Sequence, residues 1–101
     1  MSDVVHYEHW PEATVLCRIR LTAAHVPTGS TRHYDGGGLL PPPAEVVIAR
    51  HDSSYYIFYL DGAGDEMTDL FEQTLADALM QTEAEFGIKP DEWEFIAEAE
   101  R

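Results

Sequence analysis

The side chains of this chain best suited to chemistry are five histidines, one cysteine and a spaced run of carboxylates, and their spacing decides what each could do. His6 and His9 would share one side of a helix but fall on opposite faces of a strand, and no third ligand lies close in sequence, so they do not compose a zinc site. His25, His33 and His51 are scattered through expected loops and strand ends. His51-Asp52 sets a carboxylate beside an imidazole, yet no nucleophile motif such as G-x-S-x-G accompanies it. Asp61 to Glu72 has acids at its first, fifth, ninth and twelfth positions, the outline of a calcium loop. The detail fails: Ala63 stands at position three, Glu66 stands where a glycine must make the bend, and a strand precedes the segment where a helix is required. Gly36-Gly37-Gly38 lacks the preceding strand and following helix of a phosphate-cradling loop. Cys17 sits on the inward side of an alternating strand and reads as a small buried apolar residue. The expectation is therefore no catalytic residue, no metal and no cofactor.

The elements that position these residues centre on Ser54 to Gly87. Tyr55 to Leu60 is six consecutive aromatic or aliphatic residues, β-rich and too short for a buried helix. Alternation puts Tyr55, Ile57 and Tyr59 on one face and Tyr56, Phe58 and Leu60 on the other. Asp61-Gly62-Ala63-Gly64 supports a reversal into a second strand at about Glu66 to Glu72. Thr74 has the chemistry of a helix N-cap, with Asp77 three residues on placing a carboxylate near the positive helix end. Leu75, Ala78, Leu79, Thr82 and Phe86 then recur at helical spacing, with Asp77, Gln81 and Glu85 facing elsewhere. Gly87, Ile88 and Pro90 form a stop signal, so a helix is expected over about 75–86. A start at Thr68 or Asp69, absorbing the second hairpin strand, is the alternative.

Earlier in the chain, Met1 to Trp10 is a frayed lead-in or a short edge strand. Ala13 to Leu21 alternates, with Val15, Cys17, Ile19 and Leu21 on one face and Thr14, Leu16, Arg18 and Arg20 on the other. Residues 23–44 are rich in Thr, Gly and Pro and predict a flexible loop of about twenty residues without a packed element, either silent or presenting Arg32, His33, Tyr34 and Asp35 to a partner. Glu45 to Arg50 is a short β-branched strand that pairs antiparallel with the aromatic one, because His51 to Ser54 is too short for a crossover. Pro90-Asp91-Glu92 is a helical turn positioning Trp93, followed by a short helical or irregular tail. The fold class is α+β over residues 1–101: a two-layer single domain with an antiparallel meander sheet of three to four strands and one main helix packed on one face. Leu75, Leu79, Phe86, Val15, Ile19, Phe58 and Trp93 are the expected core.

Charge is the most unusual bulk property, with 19 acids against 6 bases for a net of −13. It is also lopsided, since residues 61–101 hold 13 of the acids and only 2 of the bases. Such a field repels nucleic acid and anionic membrane and speeds encounter with a basic protein. A solubilising acidic surface would look the same in sequence. No apolar run approaches a membrane span and no signal peptide is visible, so a cytoplasmic protein is expected, in keeping with a lone cysteine.

One helix can cover only one face of a sheet, yet Tyr55 to Leu60 is apolar on both. Either loops and Trp93 fold over the second face, or it binds a partner. The candidate partner-binding set is Tyr55, Ile57, Tyr59, Arg18 and Arg20, joining residue types in which binding energy concentrates. Two functions follow: a non-enzymatic module engaging a basic protein, and a homodimeric structural or small-ligand-binding protein built through the aromatic face. The segment from Tyr55 to Trp93, with its YLD hairpin, T-L-x-D-A-L helix and E-F-G-I-x-P-x-E-W ending, resembles the C-terminal half of small acidic bacterial proteins of immunity type. That resemblance implies toxin neutralisation through protein binding and carries no functional residue across.

Overall fold

The computed structural model describes residues 4–5, 13–29, 34–35, 38–39 and 41–96. In chain order the elements are β1 (Val4–Val5), β2 (Ala13–Arg20), β3 (Tyr34–Asp35), β4 (Gly38–Leu39), β5 (Glu45–His51), β6 (Ser54–Leu60), β7 (Glu66–Glu72), α1 (Leu75–Phe86), a 3-10 turn (Pro90–Glu92) and β8 (Glu94–Phe95). The fold is the expected α+β meander: β2, β5, β6 and β7 lie side by side in chain order, all antiparallel, and α1 packs on one face. The sheet exceeds the expected three to four strands, because β1 and β8 both pair with the outer edge of β2.

Local chemistry accounts for the strongest elements. The β5–β6 connection is two residues long, and Asp52 takes its first position at φ 56, a left-handed conformation that aspartate tolerates better than most residues. Thr74 Oγ1 accepts the Asp77 N–H at 3.0 Å, and Gly87 closes α1 at φ 72 with its N–H on the Glu83 carbonyl. Glu66–Glu72 is a strand as expected, so the longer helix does not form.

Both faces of the sheet carry a core. On the helix face, Cys17, Ile19, Val46, Ile48, Ile57 and Tyr59 meet Ala78, Phe86, Ile88 and Trp93. On the other, Ala13, Val15, Val47, Ala49, Tyr56, Phe58 and Leu60 pack together, with Ile96 against them. Phe86, Val15, Ile19, Phe58 and Trp93 are buried as expected, whereas Leu75 and Leu79 are only half-buried.

Four expectations need correction. Val15 pairs with Ala49 but Cys17 with Ile48, so a β-bulge at Leu16 shifts the register. The extra residue breaks the predicted single stripe: Ala13 and Val15 serve one core and Cys17 and Ile19 the other. On α1, Glu85 does not face away but is buried beside Phe86, where Tyr59 supplies a hydrogen-bond donor. The tail after Trp93 is neither helical nor irregular at first, because Cys17 and Arg18 offer Glu94–Phe95 an edge to pair with. Finally, residues 23–44 are not free of structure. The Leu21 N–H bonds the Ala44 carbonyl at 2.9 Å to close the excursion, β3 pairs with β4 inside it, and its first part is tied to the end of α1. His6, His9, Arg32, His33, Gly36 and Gly37 lie outside the described residues.

Candidate binding surface

The structure does not bring the candidate partner-binding residues together. Cross-strand partners share a face, and the row Arg50, Tyr55, Glu72 and the row Val46, Tyr59, Thr68 both lie on the helix side. Ile57 and Tyr59 are therefore core, at 0% and 1% exposed, and Tyr55 at the row's end is half-buried. Arg18 instead opens the row Arg18, Val47, Phe58, Asp69 on the opposite face. Alternation made either aromatic face eligible for the helix, and nothing in the strand itself says which one α1 covers.

What the topology leaves open is an edge. Among the described residues β2 is flanked on its outer side by β1 and β8, while no strand pairs with the outer side of β7. Glu66, Asp69 and Glu72 stand along β7, and Asp77 follows in the first turn of α1. The carboxyl of Glu72 is held above its usual range, first by partial burial and then by the negative charge of Asp77. Phe71, between these acids, is 55% exposed and rests edge-on against Tyr56, ring centroids 5.7 Å apart.

The described arginines near a sheet edge lie on the far side. Arg18 Nε is 3.6 Å from Glu45 and 4.0 Å from Glu94, and Arg20 is 4.0 Å from Glu45. Along their shared row Arg18 and Asp69 are three strand spacings apart, roughly 14 Å, beyond the Debye length of about 8 Å at physiological salt. Arg18 therefore does little to neutralise Asp69. Arg50 is nearer to β7, two spacings or roughly 10 Å from Glu72 along the helix-side row.

The two described histidines and the polar groups around them are used structurally. His25 Nδ1 accepts the Thr22 N–H at 3.0 Å, which leaves the proton on Nε2 to be donated to Glu92 Oε1 at 2.8 Å. The other oxygen of Glu92 accepts the Lys89 N–H at 2.8 Å. Lys89 and then His25 hold this carboxyl below its usual range. One residue cluster thus fastens the start of the long excursion to the 3-10 turn, and Thr28 fastens it to α1 by donating its N–H to the Glu85 carbonyl and its hydroxyl to that of Ala84. These two carbonyls belong to the last turn of α1, where no further helical N–H can reach them. His51 lies 3.8 Å from a 90% exposed Asp52 carboxylate, a loose surface pair at the hairpin tip. Cys17 is buried, which pushes its thiol up to about 12 and leaves it protonated at neutral pH.

Sequence reasoning missed the β7 edge and the His25–Glu92 link. The edge had a signal, since the last strand of a meander that leads into a helix has no sequential neighbour on its outer side. The link had none, because 67 residues separate its partners. Among the described residues no group of His, Cys, Asp or Glu could hold a metal ion, and no helix is long and apolar enough to cross a membrane. A scan against protein-family models, a search of curated proteins and a search of solved structures each returned no match.

Proposed function

We propose that this chain is a non-enzymatic protein-binding module, of inhibitor, immunity-type or adaptor kind, whose acidic C-terminal half engages a basic partner. The observation that carries this is the segregation of charge across the sheet. Glu66, Asp69, Glu72 and Asp77 gather at the β7 side, whereas Arg18 and Arg20 lie at the β2 side and pair there with Glu45 and Glu94. Carboxylates already repelling one another, as at Glu72 and Asp77, are relieved when a cation arrives, so attraction and strain relief act in the same direction. Dimerisation through the aromatic face loses its surface, since Ile57, Tyr59 and Phe58 are core residues.

The test is capture of the partner from source-cell lysate by the tagged protein, at about 50 and about 500 mM salt, beside the charge-reversed double variant Asp69→Lys/Glu72→Lys. The expected result is a basic protein held at low salt, released at high salt and lost by the variant. A partner held equally at both salts, or held equally by the variant, would sink electrostatic recognition.

A further inference from the structure

α1 turns Ala78, Thr82 and Phe86 to the sheet and leaves Ala76, Asp77, Met80, Glu83 and Ala84 exposed. Ala76, Met80 and Ala84 recur every fourth residue, so they form one outward stripe that is uncharged along its length. Asp77 and Glu83 stand three residues before and after Met80, about 60° to either side of it around the helix. In a chain with 19 acids among 101 residues, this helix therefore carries its exposed acids at the rims of the stripe and none along its centre. Met80 itself is 67% exposed. A second exposed apolar side chain, Val26 at 66%, stands between His25, which is fastened to Glu92, and Thr28, which is fastened to the Ala84 and Glu85 carbonyls. Two anchored neighbours thus keep an apolar residue in solvent near the C-terminal end of α1.

We propose that the basic partner docks an amphipathic helix along this stripe, its apolar side chains on Ala76, Met80, Ala84 and Val26 and its Lys or Arg side chains over Asp77 and Glu83. This rests on the acidic-surface reading above and names the element of the partner that it meets. An α-helix bonds its own backbone and so offers a partner only side chains. A second helix, equally self-sufficient, can pack on them and leave no backbone polar group unpaired, whereas an extended segment could not. The two alanines allow close approach, and Met80 between them is unbranched and adapts to the gaps of the facing helix. Of the rim acids, Glu83 shares its charge with Lys89, whose Nζ is 3.6 Å away, while Asp77 has no ion pair among the described residues. The attraction is therefore strongest on the Asp77 side. A second copy of this chain is the wrong occupant, because two α1 helices laid stripe to stripe would bring these rim acids against acids of the same kind.

The probe is a synthetic capped peptide, Ala-Leu-Lys-Ala-Lys-Leu-Ala-Lys-Leu-Ala-Lys-Ala-Leu-Lys-Ala, whose Leu residues share one side of a helix. It is titrated into the isotope-labelled full chain at about 50 and about 500 mM salt, beside a control peptide of the same residues reordered so that Leu falls on every side. At the lower salt the striped peptide should bind at least about tenfold more tightly than the control and shift the NMR signals of Val26, Ala76, Met80 and Ala84. Met80→Gln should weaken the striped peptide at least about threefold, and because Met80 is exposed the variant keeps the fold. If both peptides bind alike and Met80→Gln binds as the wild type does, with binding lost at the higher salt, helix docking is overturned and the acidic-surface reading stands. Striped-peptide binding that is equal at both salts would overturn the part assigned to Asp77 and Glu83. If neither peptide binds at the lower salt, helix docking and the acidic-surface reading are both overturned.

Discussion

Phe86→Ala is expected to lower the unfolding free energy by about 3–5 kcal/mol. Phe86 is the last helical residue and 3% exposed, with its ring centroid 6.3 Å from that of Tyr59. It shares its core with Ile88 and Trp93, which follow the Gly87 turn, so its removal opens a cavity where three segments meet. Rigid sheet residues on one side and a fixed helix end on the other leave little scope for collapse, which puts the cost toward the upper end. Met80→Ala on the same helix, 67% exposed, should change stability by less than about 0.5 kcal/mol. Urea denaturation of both variants at unchanged m-value is the measurement, and a Phe86→Ala loss under about 1 kcal/mol would show that α1 is not anchored by this residue.

Tyr59→Phe is expected to cost about 1–3 kcal/mol at neutral pH and to remove an alkaline weakness of the wild type. The Tyr59 hydroxyl donates to Glu85 Oε1 at 2.6 Å, and Glu85 is 2% exposed. Losing that donor takes a hydrogen bond from a buried carboxylate, while the ring and its packing remain. Burial, then the bond to Glu85 and its negative charge, drive the folded phenol far above the ordinary tyrosine value of 10.0. A raised pKa stabilises the fold below the unfolded value and withdraws that stability as pH rises, because the unfolded chain ionises first. Wild-type stability should therefore fall above about pH 10 by up to about 1.4 kcal/mol per pH unit from this group. The difference between wild type and Tyr59→Phe isolates it from the other tyrosines. Parallel alkaline limbs for the two proteins would exclude the buried phenol as the cause.

The helix and its hairpin were legible because their signals are local. Thr74, Gly87 and Pro90 mark ends by backbone chemistry that acts within one turn, and Asp61 to Gly64 marks a reversal whatever surrounds it. What failed depended on partners distant in sequence. Glu85 was assigned to the solvent face because carboxylates usually are, and a donor that helps make its burial tolerable comes from Tyr59, 26 residues away. Glu94–Phe95 is a strand because β2 has an unfilled edge beside it, not through any pattern of its own. The candidate site failed for a symmetrical reason: with both faces of β6 apolar, the choice between them was made by α1, and the candidate set came to mix residues of the helix face with the two arginines of the other. The charge asymmetry was legible as a total, but the placing of Glu66, Asp69 and Glu72 together on the outermost described strand of the β7 side required the strand order.

The bulge at Leu16 has a consequence for insertions and deletions. Val15 and Cys17 reach different cores only because one residue is unmatched between Ala49 and Ile48. Deleting Leu16 would make Val15 and Cys17 neighbours opposite Ala49 and Ile48, so the ladder would become regular while Ala13 and Val15 stay beside Phe58 and Cys17 and Ile19 stay on the helix face. With Leu16 in the chain, the bulge rather than the alternation of β2 decides which core each half of the strand serves.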